Sequence, residues 1–485
     1  MNAQIRRMTA LVTVMFLALL GSITWIQYAK AADLRARPDN TRSYYQSFDR
    51  DRGPIVVAGG QVIANSKPVD DDYGYQRIYA DGPLYAPVTG FFTILPSSTG
   101  IERAENQVLE GTADSLFLSR LQDLVTGKEP LGGAVELTID PVAQQAAWDA
   151  IGDQRGAAVV LDAKTGEILA LVSKPSYDPN LLAAHNRDDV LAAYDAWEQD
   201  PDNPLYNRAI AGNLYFPGST FKLITAAAAL ESGDYQADSE LEAPQALDLP
   251  NSDHQITNYA DSSCSSSGTM TMAAALTISC NTAFASLGMA LGQDAIAAQA
   301  EKFGFGQDLE IPLTVTPSQF PKGMSIANTA MAAIGQYEDK VTPLQMAMVA
   351  AAIANDGRLM EPHLIRTERD ADLTVMATTA AKELSRPISA STATTLRDMM
   401  LDVVTDGTAT RAAVDGVTVG AKTGTAQKDA DHAPDVWTVG FAEADGRTLA
   451  IAVVVEDGGA MGNGGSGGAV AAPIFAAIVE AVFGE

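Results

Sequence analysis

Phe216-Pro217-Gly218-Ser219-Thr220-Phe221-Lys222 runs directly into Leu223-Ile224-Thr225-Ala226-Ala227-Ala228-Ala229-Leu230, and this stretch decides how the chain is read. The Ala/Leu run is strongly helix-forming, Gly233 is placed to end it, and Pro217-Gly218 breaks the chain ahead of it. Ser219 therefore falls at or near a helix N-terminus, and the three-residue spacing sets Ser219 and Lys222 one turn apart on one face. A serine hydroxyl is a poor nucleophile until a neighbouring base takes its proton. A lysine serves as that base only when desolvation or a second cation lowers its pKa, and the helix dipole favours negative charge at the serine. A capping serine near a surface lysine has the same two letters. Composition alone yields about one such match in a chain of this length, so the pair needs company.

Two later motifs supply it. Ser279-Cys280-Asn281 follows the apolar helical stretch Met272 to Ile278 and is the only Ser-x-Asn in the chain. There Ser279 can relay a proton toward a leaving group while Asn281 hydrogen-bonds a substrate amide; the plainer alternative is a loop that caps the next helix. Lys422-Thr423-Gly424-Thr425 lies in a β-branched run from Val417 to Ala426 that reads as a strand. Gly424 lets a substrate backbone approach and pair along the strand edge, and Lys422 with the Thr423 and Thr425 hydroxyls can hold a carboxylate. The backbone N–H groups of Ser219 and Thr425 together suit an oxyanion hole. Alone, this run is an ordinary strand with a glycine bulge. Lys164-Thr165-Gly166 repeats three of the letters, but it sits in a turn ahead of the nucleophile and reads as structural. Ser-x-x-Lys, Ser-x-Asn and Lys-Thr-Gly in this order are a specific signature of penicillin-recognising serine acyltransferases.

The rest of the chain frames these motifs. At 485 residues it exceeds one ordinary core. A net charge of −28 argues against a nucleic-acid partner, because phosphates would be repelled at every approach. Arg6 and Arg7 precede an apolar run from Met8 to Tyr28, long enough to cross a bilayer, with Trp25 and Tyr28 near its end. The expectation is a retained anchor with a cytoplasmic N-terminus and an exported body; a signal peptide cleaved at Ala29-Lys30-Ala31 is the alternative. In that compartment Cys264 and Cys280 form a disulfide or remain two buried thiols. The four histidines show no metal-ligand spacing, and no cofactor is expected.

Three regions follow: 1–32 as cytoplasmic tip and transmembrane anchor, 33–150 as a strand-rich N-terminal domain without catalytic groups, and 151–485 as the catalytic domain. At the junction of the last two, Asp140 and Pro141 start a helix to about Ile151, and beyond it Ala157–Asp162 and Ile168–Val172 form a hairpin. Helices dominate from Leu214 to about Gly357. Strands return at Val417–Ala426, Val436–Phe441 and Leu449–Val455, and a Gly-rich loop precedes a final apolar helix from about Ala469 to Val482. The fold class is α/β in the α+β sense: one sheet flanked by helices.

At these residues the chain resembles the class B penicillin-binding proteins, the monofunctional peptidoglycan D,D-transpeptidases. Arg52-Gly53-Pro54-Ile55 is similar to the Arg-Gly-x-Ile box of their N-terminal domain. Leu137-Thr138-Ile139-Asp140 and Pro175-Ser176-Tyr177-Asp178-Pro179-Asn180 are similar to the approach to their transpeptidase domain. Thr342-Pro343-Leu344-Gln345, Ala354-Asn355-Asp356-Gly357, Gly407-Thr408-Ala409 and Trp437-Thr438-Val439-Gly440-Phe441 also match. The short N-terminal domain and absence of added C-terminal modules look most like the actinobacterial penicillin-binding protein A subfamily. Gly335-Gln336-Tyr337 stands where relatives often read Gly-Gln-Gly, and Asp435-Val436 where His-Ala is common.

The resemblance implies a five-stranded antiparallel sheet with helices on both sides, a helical subdomain, and an N-terminal domain with a dimerisation or pedestal role. It implies Ser219, Lys222 and Ser279 as catalytic, Asn281 and Lys422 to Thr425 as substrate-binding, and D-Ala-D-Ala stem peptides as substrate. β-Lactams would acylate Ser219, and division or elongation proteins would be partners. A D,D-carboxypeptidase and a non-catalytic penicillin-binding scaffold or sensor share these motifs.

Overall fold

The computed structural model describes residues 2–30, 47–95, 97–113, 131–212, 214–428 and 431–484. Ala31 of the cleavage-like tripeptide and the start of the N-terminal domain, 33–46, lie outside the described residues. The first helix, α1 (Asn2–Thr24), continues as a wider turn, Trp25–Ala29. Ala3–Tyr28 is long and apolar enough to cross a membrane, and none of it is buried against the rest of the chain. Its exposed leucines, valines and aromatics would be costly in water and suit a bilayer.

Eleven of the strands build the two main sheets. In chain order they are β1 (Ile55–Val56), β2 (Val62–Pro68), β3 (Tyr75–Tyr79), β4 (Ala134–Leu137), β5 (Gly156–Asp162) and β6 (Ile168–Lys174). Then come β7 (Ile365–Arg369), β8 (Val375–Thr378), β9 (Thr418–Ala426), β10 (Asp435–Ala444) and β11 (Arg447–Val455). The larger sheet has the order β8-β7-β4-β1-β2-β3, with β1 and β4 parallel and its other pairs antiparallel. The second has the order β9-β10-β11-β5-β6 and is antiparallel throughout.

The second sheet is buried on both faces, which explains the near-continuous apolar runs of its inner strands. Two helices, α2 (Pro141–Ile151) and α7 (Ala472–Phe483), pack on each other and on this sheet. Asp140 caps α2 by accepting from Val142 N–H at 2.9 Å, and Pro141 takes the first position, where no donor is needed. Buried Gln144 pins α2 to β6, donating to Leu171 O at 3.1 Å and accepting from Leu171 N–H at 2.8 Å. The remaining labelled helices are α3 (Lys222–Ser232), α4 (Asn281–Leu291), α5 (Pro343–Ala354) and α6 (Ala390–Thr405). All twelve residues of α5 are buried, and it packs on β5, β10 and β11, while α6 packs on β9. The expected five-stranded antiparallel sheet flanked by helices is present.

The middle region is less purely helical than expected. Three short ribbons interrupt it, Glu240–Glu242 with Thr269–Thr271, Ala246–Asp248 with Gln255–Thr257, and Leu309–Glu310 with Thr314–Val315. β7 and β8 were also not anticipated, and they complete the N-terminal sheet from far along the chain.

The N-terminal part is organised around charge. Glu102, fully buried, meets Arg52 Nε at 2.6 Å and Arg77 Nε at 2.7 Å, and accepts from the Tyr79 hydroxyl at 3.1 Å. Burial pushes the Glu102 carboxyl up, but the two guanidinium groups outweigh it and hold it below the ordinary range. Beside this cluster Gly53 packs so closely on Gly132 and Gly133 that a Cβ would overlap backbone. That accounts for both fixed letters of Arg52-Gly53. A cleft of about 490 Å³ lined by Gly90, Arg103, Tyr177 and Tyr206 contains none of the motif residues.

Candidate active site

Gly218–Phe221 forms a 3₁₀ turn that leads straight into α3, and Gly233 ends α3 with φ +80°. Ser219 is partly exposed on this turn, whereas Thr220, Phe221 and Lys222 are buried. The turn is held from several sides. Gly218 N–H donates to Gly335 O at 2.9 Å, Thr220 Oγ1 donates to Pro217 O at 2.7 Å, and Trp437 Nε1 donates to Phe216 O at 3.1 Å. Gly335 has φ +74° and lies so close to Gly218 that a Cβ would overlap the Gly218 carbonyl. The Gly335-Gln336 segment thus braces the Ser219 turn, and Gln336 Oε1 also accepts from Gln427 N–H at 3.3 Å, just past β9.

Lys222, Ser279, Asn281 and Lys422 converge. Lys222 Nζ lies 2.8 Å from Ser279 O, 2.8 Å from Asn281 Oδ1 and 3.3 Å from Ser279 Oγ. Lys422 Nζ donates to Ser279 Oγ at 2.8 Å and to Thr423 O at 2.9 Å. Both lysines are fully buried, and neither has a carboxylate among these partners. Burial, followed by the like charge of Lys422, holds Lys222 well below the usual ammonium range. Burial alone pushes Lys422 down to about 7.

A neutral Lys222 amine has two hydrogens and one lone pair. Its two 2.8 Å bonds to carbonyl-type oxygens use the hydrogens and leave the lone pair for a hydroxyl. Ser279 Oγ, accepting from Lys422, then has its own proton to direct at that lone pair. Asn281, read from the sequence as a substrate-amide anchor, uses Oδ1 on Lys222 and Nδ2 on Thr257 O at 3.0 Å.

The third motif lies on β9, at the edge of its sheet. Thr423 Oγ1 is 2.5 Å from Thr408 Oγ1. Gly424 is opposite Trp437, and a Cβ there would sit 3.0 Å from both Pro217 O and Thr220 Cγ2. A side chain at this position would press on the turn that carries Ser219. Past the strand, Lys428 bridges Asp435 at 2.8 Å and Asp457 at 2.7 Å, giving the unusual Asp435 a partner. Lys164-Thr165-Gly166 is a turn fixed by Asp162 Oδ1, which accepts from the Lys164 and Thr165 N–H groups at 2.9 and 3.0 Å. Cys264 and Cys280 are joined as a disulfide. Among the described residues no group of His, Cys, Asp or Glu is arranged to hold a metal ion.

Sequence reading missed Asn258, whose Oδ1 accepts from the N–H groups of Asn281 and Thr282 at 2.9 and 3.1 Å. A lone Asn in Thr257-Asn258-Tyr259 carries no spacing signal. Gln336 and Thr408 lay within quoted or neighbouring stretches, but nothing in the sequence ties them to the site.

Comparison with known proteins agrees with this geometry. The family described as the penicillin binding protein transpeptidase domain matches residues 156–480, and the penicillin binding protein A dimerisation domain matches 52–135. The peptidoglycan D,D-transpeptidase PbpA of Mycolicibacterium smegmatis is 43% identical, with both chains covered completely. The chain is a class B penicillin-binding protein. PbpA of Mycobacterium tuberculosis is 41% identical over 99% of each chain. The M. tuberculosis penicillin-binding protein A structure with a ceftriaxone acyl-enzyme superposes with TM-score 0.86 at 40% identity, covering 90% of this chain and 100% of that one. As a class B penicillin-binding protein, this chain brings residues of all three motifs within reach of the Ser279 turn and β9.

Proposed function

We propose that this protein is a peptidoglycan D,D-transpeptidase working through a Ser219 acyl-enzyme. Lys222 takes the Ser219 proton, and Ser219 Oγ attacks the carbonyl of the penultimate D-Ala of a stem peptide. The oxyanion is stabilised by the N–H groups of Ser219, at the open start of its turn, and of Thr425 on the edge strand. The proton passes through Ser279 to the departing amine as the C–N bond breaks and terminal D-Ala leaves. An amine of a neighbouring stem peptide then attacks the acyl-enzyme and gives its proton to Lys222, which passes it to Ser219 Oγ as the ester C–O bond breaks, restoring the hydroxyl and the neutral amine. Lys422, Thr423 and Thr425 bind the substrate carboxylate, Gly424 admits its backbone, and Asn281 orients Lys222 and the substrate amide.

The observation that carries this reading is the burial of Lys222 without a carboxylate, one residue past the turn that presents Ser219. Burial and the like charge of Lys422 disfavour its ammonium form and so favour the basic amine. Names of the PbpA relatives and the acyl-enzyme form of the solved neighbour support the substrate class and β-lactams as covalent ligands of Ser219. α1 supports a single-pass anchor, with Arg6 and Arg7 favouring a cytoplasmic N-terminus and an extracytoplasmic body. On this reading 1–32 anchors, 33–150 serves as pedestal or dimerisation domain, and 151–485 catalyses, in concert with division or elongation proteins.

Fluorescent penicillin provides the test: wild type becomes covalently labelled and Ser219→Ala does not. An unlabelled wild type refutes the proposal. Release of D-Ala that depends on an added amine acceptor supports the transferase, and release into water alone makes the protein a D,D-carboxypeptidase.

A further inference from the structure

The turn carrying Ser279 and Asn281 is held locally on one side only: the Ser279 and Cys280 N–H groups donate to Leu276 O at 3.1 Å and Ala275 O at 2.8 Å, closing the preceding helix, Met272–Thr277. Ser279 has φ +61°, the left-handed conformation of the residue that ends this helix. Helix α4 begins at Asn281, and its N-cap residue, Cys280, makes no side-chain capping bond. The first N–H groups of α4 therefore need an acceptor from elsewhere. Asn258 supplies it from a loop 23 residues earlier, through the paired bonds of its Oδ1 to the Asn281 and Thr282 N–H groups. The side chain is buried, and Nδ2 donates to Ser262 O at 3.2 Å, which fixes the way the amide points. The neighbouring Thr257 carbonyl accepts from the Asn281 side chain at 3.0 Å. Asn281 in turn meets Lys222 Nζ at 2.8 Å.

We propose that Asn258 is a positioning residue for acyl transfer: it caps α4 from outside, and through Asn281 and the Ser279 turn it fixes the Lys222 amine in reacting geometry. This inference rests on the reading of Lys222 as the base. Without the cap, the α4 N-terminus loses its acceptor, and the turn is anchored only on the side of the preceding helix. Asn281 then shifts, and the Lys222 amine loses one of the two short bonds that orient it. The Cys264–Cys280 disulfide tethers the same turn, but a tether limits distance and does not orient an amide, so it is no substitute.

The test measures the second-order rate of acylation by fluorescent penicillin as a function of pH, with thermal unfolding midpoints alongside, on the full-length chain. Wild type, Asn258→Ala and Asn258→Asp are compared. Asn258→Ala should acylate about tenfold more slowly, the scale of a lost helix cap. Asn258→Asp keeps the acceptor and should recover most of the rate at high pH. Its acid limb should move to higher pH, because a carboxylate near Lys222 favours the ammonium form. An Ala variant within twofold of wild type overturns the proposal. So does an Asp variant as slow as Ala, or one whose acid limb stays where wild type has it. If Asn258→Ala fails to fold, the Asp rate and profile decide the matter alone. A wild type that never labels overturns the functional assignment and this inference with it; a labelling wild type with an unaffected Ala variant overturns only the inference.

Discussion

Lys422→Met should make the protein more stable at pH 6 while impairing its acylation. The Lys422 amine is fully buried, bonded to Ser279 Oγ at 2.8 Å and Thr423 O at 2.9 Å, and lowered from 10.5 to about 7. In the window between those two values the unfolded chain holds a proton that the native chain has lost, so stability rises with pH there, by about 1.4 kcal/mol per pH unit. Below about 7 both states are protonated and the native state carries the full cost of a buried ammonium, about 4–5 kcal/mol. Methionine removes that cost and forfeits two hydrogen bonds, at about 1 kcal/mol each. The net expectation is a gain of about 2 kcal/mol at pH 6. It should shrink with rising pH and reverse at about pH 9, where the remaining cost of the proton equals the two hydrogen bonds that the neutral wild-type lysine keeps. Urea unfolding of wild type and variant in detergent at pH 6, 7, 8, 9 and 10 measures the difference directly. Parallel stability curves would refute the reasoning, since they would mean that Lys422 is charged in the fold throughout, or that burial does not oppose its charge. A stabilised but poorly acylated variant would mark Lys422 as a group whose presence costs stability for the sake of the reaction.

Two further perturbations probe the support of the site and of the N-terminal sheet. Gly335→Ala places a methyl group on the Gly218 carbonyl at a positive φ, so it should destabilise by at least about 1–3 kcal/mol and slow penicillin acylation; a variant matching wild type in both unfolding midpoint and labelling rate would contradict the brace. Glu102→Ala removes the carboxylate shared by buried Arg52 and Arg77, leaving Arg52 the longer 3.7 Å pairing with Glu110, which should cost about 3–5 kcal/mol, measured by denaturant unfolding, and a cost below about 1 kcal/mol would dismiss the cluster as a structural centre.

What the sequence made legible follows from how local each signal is. The β5–β6 hairpin, α2 with its Asp140-Pro141 start, the Gly233 stop and the three late strands are written in neighbouring residues. Periodicity, caps and turn chemistry are enough to find them. β7 and β8 escaped because their residues, such as Arg366, Glu368 and Arg369, are polar and only partly buried, and their pairing partner lies far back in the chain. The Gln255–Thr257 ribbon escaped for want of length. In the site, the order of the motifs brought out Ser219, Lys222, Ser279, Asn281 and Lys422. Asn258, Gln336 and Thr408 were invisible because each acts across space through one side-chain amide or hydroxyl. No spacing rule records that kind of contact.

The N-terminal sheet has a consequence for how the molecule is made. β4 pairs with β7, beginning at Leu137 with Ile365, so this sheet is finished by a hairpin synthesised roughly 230 residues after its neighbour. At about 5–20 residues per second, that interval is on the order of ten to fifty seconds. Until then the β4 edge stands open, with unpaired N–H and C=O groups able to template pairing with another chain. The helical stretch that carries Ser219 and Ser279 must emerge before that edge is covered, while β9, β10 and β11 are still to come. The two halves of the protein are thus coupled in assembly, and non-local pairing of this kind makes folding slow. A fragment cut at residue 150 would keep its charged cluster and lose the strands that close its sheet, leaving an aggregation-prone border in place of a pedestal.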